Sequence, residues 1–219
     1  MKDEFFDLID DTTGEIIGRA LRRECHGNPK LIHRSVRVIV YHPDGRSLLL
    51  QKRSAAKDIF PGRWDMAVGG HVDSGETPDQ AAVREMGEEL GMPPDIPLKK
   101  LFQLKVRNKI ESENVQEYSA VFGGPFRIQE SELDEIRFFS FDELKEQIEK
   151  VRSETRNLRN QVAKLNGWPH IRRKIIEFKL GLGPAAPGQI TRISVYSPKQ
   201  AAAIPLSPLN VASAALTLC

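Results

Sequence analysis

Two cysteines in 219 residues, Cys25 and Cys219, are too few for a disulfide framework, and neither stands in a spaced pair that would hold a metal. Both are expected to be free thiols. Excess charge is missing too: 32 Lys and Arg against 30 Asp and Glu leave a formal +2. That balance argues against a nucleic-acid partner, since phosphate backbones demand a basic surface. No apolar run approaches the roughly 18 residues of a membrane span. The opening MKDEFFDLIDD is acidic where a secretory leader would be basic. The expectation is a soluble, cytoplasmic protein without nucleic acid or membrane among its partners. No internal repeat is evident, and 40% hydrophobic residues suffice for one ordinary core with an appendage.

What the sequence does have is one dense stretch, Gly70 to Met92, GHVDSGETPDQAAVREMGEELGM. Gly69, Gly70 and Gly75 read as a glycine loop leading into a helix. Thr77 is its N-cap, Pro78 its first position, and Gln80 completes a capping box. Gly91 ends it, with Pro93 and Pro94 behind. At 100° per residue Ala82, Val83, Met86 and Leu90 form a core stripe, while Glu85, Glu88 and Glu89 form a second stripe roughly 100° wide. Like charges three and four apart repel by a few tenths of a kcal/mol per pair, and a solvated face would intersperse Lys. Arg84 is placed to pair with Glu88, which leaves Glu85 and Glu89 unneutralised. Clustered carboxylate oxygens on a rigid element suit hard cations such as Mg²⁺ or Mn²⁺; an exposed acidic helix is the plainer alternative.

The spacing of the whole stretch decides between them. Gly70, Glu76, Arg84-Glu85, Met86, Glu88-Glu89, Gly91 and Met92 follow the pattern G-x₅-E-x₇-R-E-U-x-E-E-x-G-U, with U aliphatic. Seven fixed letters at roughly 5–7% each would match by chance on the order of once in a million sequences. The pattern resembles the Nudix hydrolase signature, the only departure being Met at both aliphatic positions, which still packs as an apolar residue. The resemblance implies that Glu85, Glu88 and Glu89 hold the metal with a carbonyl of the glycine loop, that of Gly69. It also implies that Arg84 orients the glutamates and that Glu76 tethers the loop to the helix.

Along the rest of the chain, Glu4 to Ile9 and Glu15 to Leu21 read as a hairpin around Asp10 to Gly14. Ile32 to Tyr41 and Ser47 to Gln51 read as a second one, and Trp64 to Val68 as the strand feeding the glycines. Leu98 to Val106, Val115 to Phe122 and Glu135 to Phe139 are further strands. Ser140, with Glu143 at the capping-box position, opens a helix. Strands, helix, strands and helix describe a mixed α/β (α+β) fold, and the resemblance implies a Nudix-type mixed sheet sandwiched between helices, with a C-terminal helical extension. Leu144, Ile148, Val151, Thr155, Leu158, Val162 and Leu165 form an a/d-like stripe, either a long helix packed on its own domain or a homodimer seam. His170 to Leu180 is a short basic helix, and the Pro, Ala and Gly beyond it read as a flexible tail. The boundaries are therefore 1–150 for the Nudix domain, 151–180 for the helical extension and 181–219 for the tail.

Lys52, Arg53 and Lys57 stand just ahead of the glycines, either as a solvated turn or as cations for a diphosphate. From about Phe5 to Phe141 the setting resembles the isopentenyl-diphosphate isomerase branch of the same superfamily. That resemblance implies a second metal position at His26, His33 and His71. It implies diphosphate binding by Arg53 and Lys57, ahead of the Pro61-to-Trp64 element, and an active-site role for Glu117. Two features depart from the isomerase: Gly69 occupies the place of its catalytic cysteine, and Val115 that of a second glutamate. The expectation is thus a metal-dependent hydrolase of a small organic or nucleoside diphosphate. The alternatives are an isopentenyl-diphosphate isomerase and a non-catalytic binding module on the same fold.

Overall fold

In the computed structural model, residues 4–56, 61–108, 112–150 and 153 are described. In chain order the elements are β1 (Phe5–Ile9), β2 (Ile16–Leu21), α1 (Arg22–Cys25), β3 (His33–Tyr41), β4 (Ser47–Arg53) and β5 (Trp64–Met66). There follow β6 (Val68–His71), α2 (Pro78–Leu90), β7 (Lys99–Arg107), β8 (Ser112–Val121), β9 (Leu133–Ser140) and a helix over residues 141–150, here α3. The described residues fall into two compact units, one built from those up to Gly45 with Met66–Gln129, the other from Arg46–Asp65 with those from Glu130 onward. Among the described residues no helix is long and apolar enough to cross a membrane.

In the first unit β3 is the central strand. It runs parallel to β8, with His33 opposite Glu113 and Arg37 opposite Glu117, and antiparallel to β6 on its other side. The outer strand β7 pairs antiparallel with β8. Because β3 has a strand on each flank and is covered on both faces, Val38, Ile39, Val40 and Tyr41 are all buried in succession, the pattern of an interior strand. The hairpin of β1 and β2 forms as the sequence suggests: Asp10 accepts hydrogen bonds from the amides of Thr12 and Thr13, and Gly14 takes the left-handed conformation.

Helix α2 begins and ends where its local chemistry dictates. The Gln80 amide donates to Thr77 Oγ1 at 3.3 Å and the Thr77 amide to Gln80 Oε1 at 2.9 Å, closing the capping box. Gly91 stops the helix in the left-handed region at φ 63°, and a Cβ there would lie 3.0 Å from that of Arg127. The buried stripe is Ala81, Ala82, Met86 and Leu90. Ala81 joins the expected set while Val83 is only half-buried, a rotation of the helix toward its carboxylate side that also buries Glu89. Truncating Leu90 to Ala would cost about 2–5 kcal/mol.

The second unit pairs β4 antiparallel with β9, burying Leu48, Leu49, Leu50 and Phe139. Ser140 caps α3 by accepting from the Glu143 amide at 3.1 Å. The Glu143 carboxylate does not close the box; it bonds Arg137 at 2.9 Å instead, a charged partner outcompeting a backbone amide. Leu144 and Ile148 are buried, as a helix packed on its own unit requires. The rest of that stripe, the helical extension apart from Ser153, and the tail lie outside the described residues.

Candidate active site

Gly69 and Gly70 do not form a loop. They are β6 residues paired with Arg37 and Val36 of β3. Their lack of side chains matters because α2 lies against this strand: a Cβ on Gly70 would fall 2.0 Å from Glu85 Cδ, so only glycine leaves room for that carboxylate. At Gly69 the nearest atom would be Arg37 Cγ, at 4.0 Å. Glu89, 7% exposed, accepts from the Gly69 amide at 3.3 Å. The expected single strand from Trp64 to Val68 is in fact β5 and β6, separated at Ala67.

Arg84 is the hub of this face. Its Nε and Nη2 donate to the two oxygens of Glu76 at 3.0 and 2.9 Å, a bidentate fork. Nη1 donates to Glu85 at 2.8 Å and to Glu88 at 3.2 Å, and Nη2 also donates to the His71 carbonyl at 2.9 Å. Glu85 is therefore paired with Arg84, contrary to the reading that Arg84 serves Glu88 alone; adjacent residues meet because both side chains turn toward β6. Glu76 also accepts from the Asp73 amide at 3.2 Å, which joins the β6–α2 loop to the helix. Burial raises the Glu76 carboxyl, but Arg84 and that amide outweigh it and hold it low. At Glu85 burial wins over the attraction of Arg84 and pushes the carboxyl up. A half-buried carboxylate still short of positive charge, beside Glu88 and Glu89, is the donor chemistry that a hard divalent cation satisfies.

A second cluster lies where the end of one short helix meets the ends of two strands. His26 follows α1, His33 opens β3 and His71 closes β6, and one ring nitrogen from each lies within 4.8 Å of the others. Glu113, absent from the sequence reading, joins them: its Oε1 is 3.4 Å from His71 Nε2 and 3.8 Å from His33 Nε2, while Ser35 donates to its other oxygen at 2.9 Å. Phe6 stacks on His33 and His71, with ring centroids 5.1 and 4.5 Å away. His33 is fully buried, and its Nδ1–H donates to the Leu31 carbonyl at 3.2 Å, which leaves a lone pair on an Nε2 that has no hydrogen-bond partner. Burial, aided by His71, lowers the His33 pKa to about 4, so the ring is neutral at pH 7. Three imidazoles and a carboxylate with an orphaned nitrogen aimed among them fit a divalent transition metal. Glu117 lies apart from this set, buried beside Arg37 at 3.8 Å.

The remaining candidates belong to the second unit. Lys52 is 4.0 Å from Glu135 and Arg53 is 4.0 Å from Asp65. Trp64 packs edge-on against Phe139 at 4.9 Å with Arg137 over its ring. Lys57 lies outside the described residues.

Comparison with known proteins gives a consistent picture. A profile of the NUDIX domain matches residues 31–161. A Nudix hydrolase of Rhodococcus erythropolis is 44% identical over 82 residues, covering 37% of this chain and 44% of that protein. An isopentenyl-diphosphate Delta-isomerase of Streptomyces griseus is 39% identical over 90 residues, covering 41% of this chain and 45% of that protein. The chain thus spans about half the length of these curated relatives or less. A solved structure from Deinococcus radiodurans matches with a TM-score of 0.56 at 23% identity, covering 68% of this chain and 90% of that one, a likeness of fold.

Proposed function

The chain belongs to the Nudix family, and from that premise we propose that it hydrolyses the diphosphate linkage of a small organic or nucleoside diphosphate derivative. The observation that carries this reading is the Arg84 hub, which gathers Glu76, Glu85 and Glu88 beside the glycines of β6. Glu85, Glu88 and Glu89, with the Gly69 carbonyl, would hold Mg²⁺ or Mn²⁺. A divalent ion bound there supplies charge to the phosphoryl oxygens and lowers the pKa of the attacking water. The protein's own part is positional: Glu76 fixes Arg84, Arg84 fixes Glu85 and Glu88, and the absent Cβ of Gly70 lets Glu85 lie against the strand. Arg53, Lys57 and Glu117 stand as substrate-binding candidates on the family resemblance, with Lys52 from the same cationic run and Trp64 from the element that follows it. Residues 1–150 would carry the activity. The test is phosphate release from a panel of diphosphates with Mg²⁺, with EDTA and in Glu89→Gln; turnover undiminished by EDTA would overturn the reading.

A second metal position at His26, His33 and His71, completed by Glu113, is supported by the orphaned His33 nitrogen. That cluster and the isomerase relative favour one other reading, double-bond isomerisation of isopentenyl diphosphate. Against it stands Gly69, which offers no side chain where protonation and deprotonation on opposite faces require two positioned groups.

A further inference from the structure

The hairpin of β1 and β2 precedes residue 31, where the family match begins, yet it grips the loop that leads into α2. Asp7 of β1 is 6% exposed. One of its carboxylate oxygens accepts from the Ser74 hydroxyl at 2.6 Å; the other accepts from the Gly75 amide and from Arg34 Nη2, both at 3.1 Å. The Ser74 amide donates to the Phe5 carbonyl at 2.8 Å, and Phe6 makes a β-bridge to Asp73. Arg34 Nη2 continues to the Glu76 carbonyl at 3.3 Å. The loop from Asp73 to Glu76 is therefore clamped from one side by Asp7 and Arg34 and from the other by Arg84.

We infer that Asp7 is a positioning residue for the carboxylate face of α2, acting through the Ser74–Glu76 turn on Glu76 and thence on Arg84 and Glu85. The inference rests on the hydrolase reading only for what the face does, not for how it is held. If Asp7 is neutralised, a hydroxyl, an amide and a guanidinium lose a shared anionic acceptor in a buried place, and the turn carrying Glu76 is released on that side. Partners one step removed from metal ligands typically alter affinity by about 10–100-fold.

The experiment titrates Mn²⁺ by electron paramagnetic resonance and counts the ions that Mg²⁺ displaces, since Mg²⁺ avoids imidazole and so reports the carboxylate face. It compares wild type with Asp7→Asn, Ser74→Ala and Leu8→Ala, alongside thermal melts and the Mg²⁺ dependence of phosphate release. Leu8 packs against the Phe6, Ala20 and Cys25 cluster, so Leu8→Ala loosens the hairpin's apolar packing while leaving the Asp7 carboxylate in place. Asp7→Asn is expected to weaken Mg²⁺-displaceable Mn²⁺ binding about ten-fold, Ser74→Ala two- to three-fold, and Leu8→Ala to lower the melting temperature with unchanged affinity. Wild-type affinity in Asp7→Asn, or an equal loss in Leu8→Ala, would overturn the inference. Should Asp7→Asn not fold, unchanged affinity in Ser74→Ala does so. Absence of phosphate release with these Mn²⁺ shifts intact would sink the hydrolase reading and leave this one standing.

Discussion

Replacing Arg84 by Lys keeps the charge and removes the fork, so it separates geometry from electrostatics. The guanidinium makes five hydrogen bonds: two to Glu76 and one each to Glu85, Glu88 and the His71 carbonyl. An ammonium has three donors on one atom and must drop at least two of these. The Glu88 bond goes first, because that side chain is 55% exposed and an exposed pair contributes about 0–1 kcal/mol. The second loss is one tooth of the fork on Glu76, only 16% exposed, where a charge-assisted bond contributes about 1.5–3 kcal/mol. Together these predict a loss of about 1.5–4 kcal/mol, or a fall of about 3–16 °C in melting temperature for a chain of this size. Because the fork on Glu76 that fixes residue 84 is gone, Glu85 is held less rigidly through it, and turnover should fall further, by about 10–100-fold, at saturating Mg²⁺. Circular-dichroism melts and Mg²⁺-dependent phosphate release measure both quantities. Wild-type melting temperature and turnover in Arg84→Lys would refute the reasoning, since charge alone would then account for the residue.

Gly70→Ala should abolish metal-dependent turnover while Gly69→Ala retains it within a few-fold, because an added Cβ displaces Glu85 at the first position and meets nothing closer than 4.0 Å at the second; equal activity of the two variants would be inconsistent with the packing described. In metal-free protein His33, with its pKa lowered from 6.5 to about 4, contributes stability that is complete above pH 6.5 and is lost as pH falls toward 4, up to about 3 kcal/mol. Urea midpoints across that window should therefore fall more steeply for wild type than for His33→Gln, and parallel curves would discount the effect. Incubated with isopentenyl diphosphate and Mg²⁺, the protein should form no dimethylallyl diphosphate at enzymic rates of roughly 1 s⁻¹ or more, as followed by NMR, and rapid conversion would favour the isomerase reading.

The parts of this site legible in the sequence are those set by local chemistry. Thr77, Gln80 and Gly91 mark α2 because caps and a left-handed terminator act within a turn of the helix end. Arg84 and Glu76 are eight residues apart, so their pairing requires only that the intervening turn fold back. Registers set by tertiary pairing left no such trace. Ser35 and Glu113 are 78 residues apart and meet because β3 and β8 run parallel, which no local pattern around a polar Ser-Glu-Asn run announces. The same polarity made β8 look shorter at its start than it is. Gly69 and Gly70 read as a loop because glycine disfavours strands, but the strand tolerates them to admit Glu85. Asp7 was one acid among several in an acidic opening, and only the placement of Ser74 and Gly75 above it gives it a role.

If water attacks phosphorus at a site built by Glu85, Glu88 and Glu89, the oxygen gained by the product comes from solvent and stays on phosphorus. Hydrolysis of the best diphosphate substrate in ¹⁸O-labelled water with Mg²⁺, followed by ³¹P NMR, tests it most directly. The expected result is the isotope-shifted phosphate signal of a product carrying one ¹⁸O, and its loss in Glu89→Gln and in EDTA. Label found on the organic alcohol carbon instead of on phosphorus, or labelled phosphate formed equally by Glu89→Gln, would contradict it.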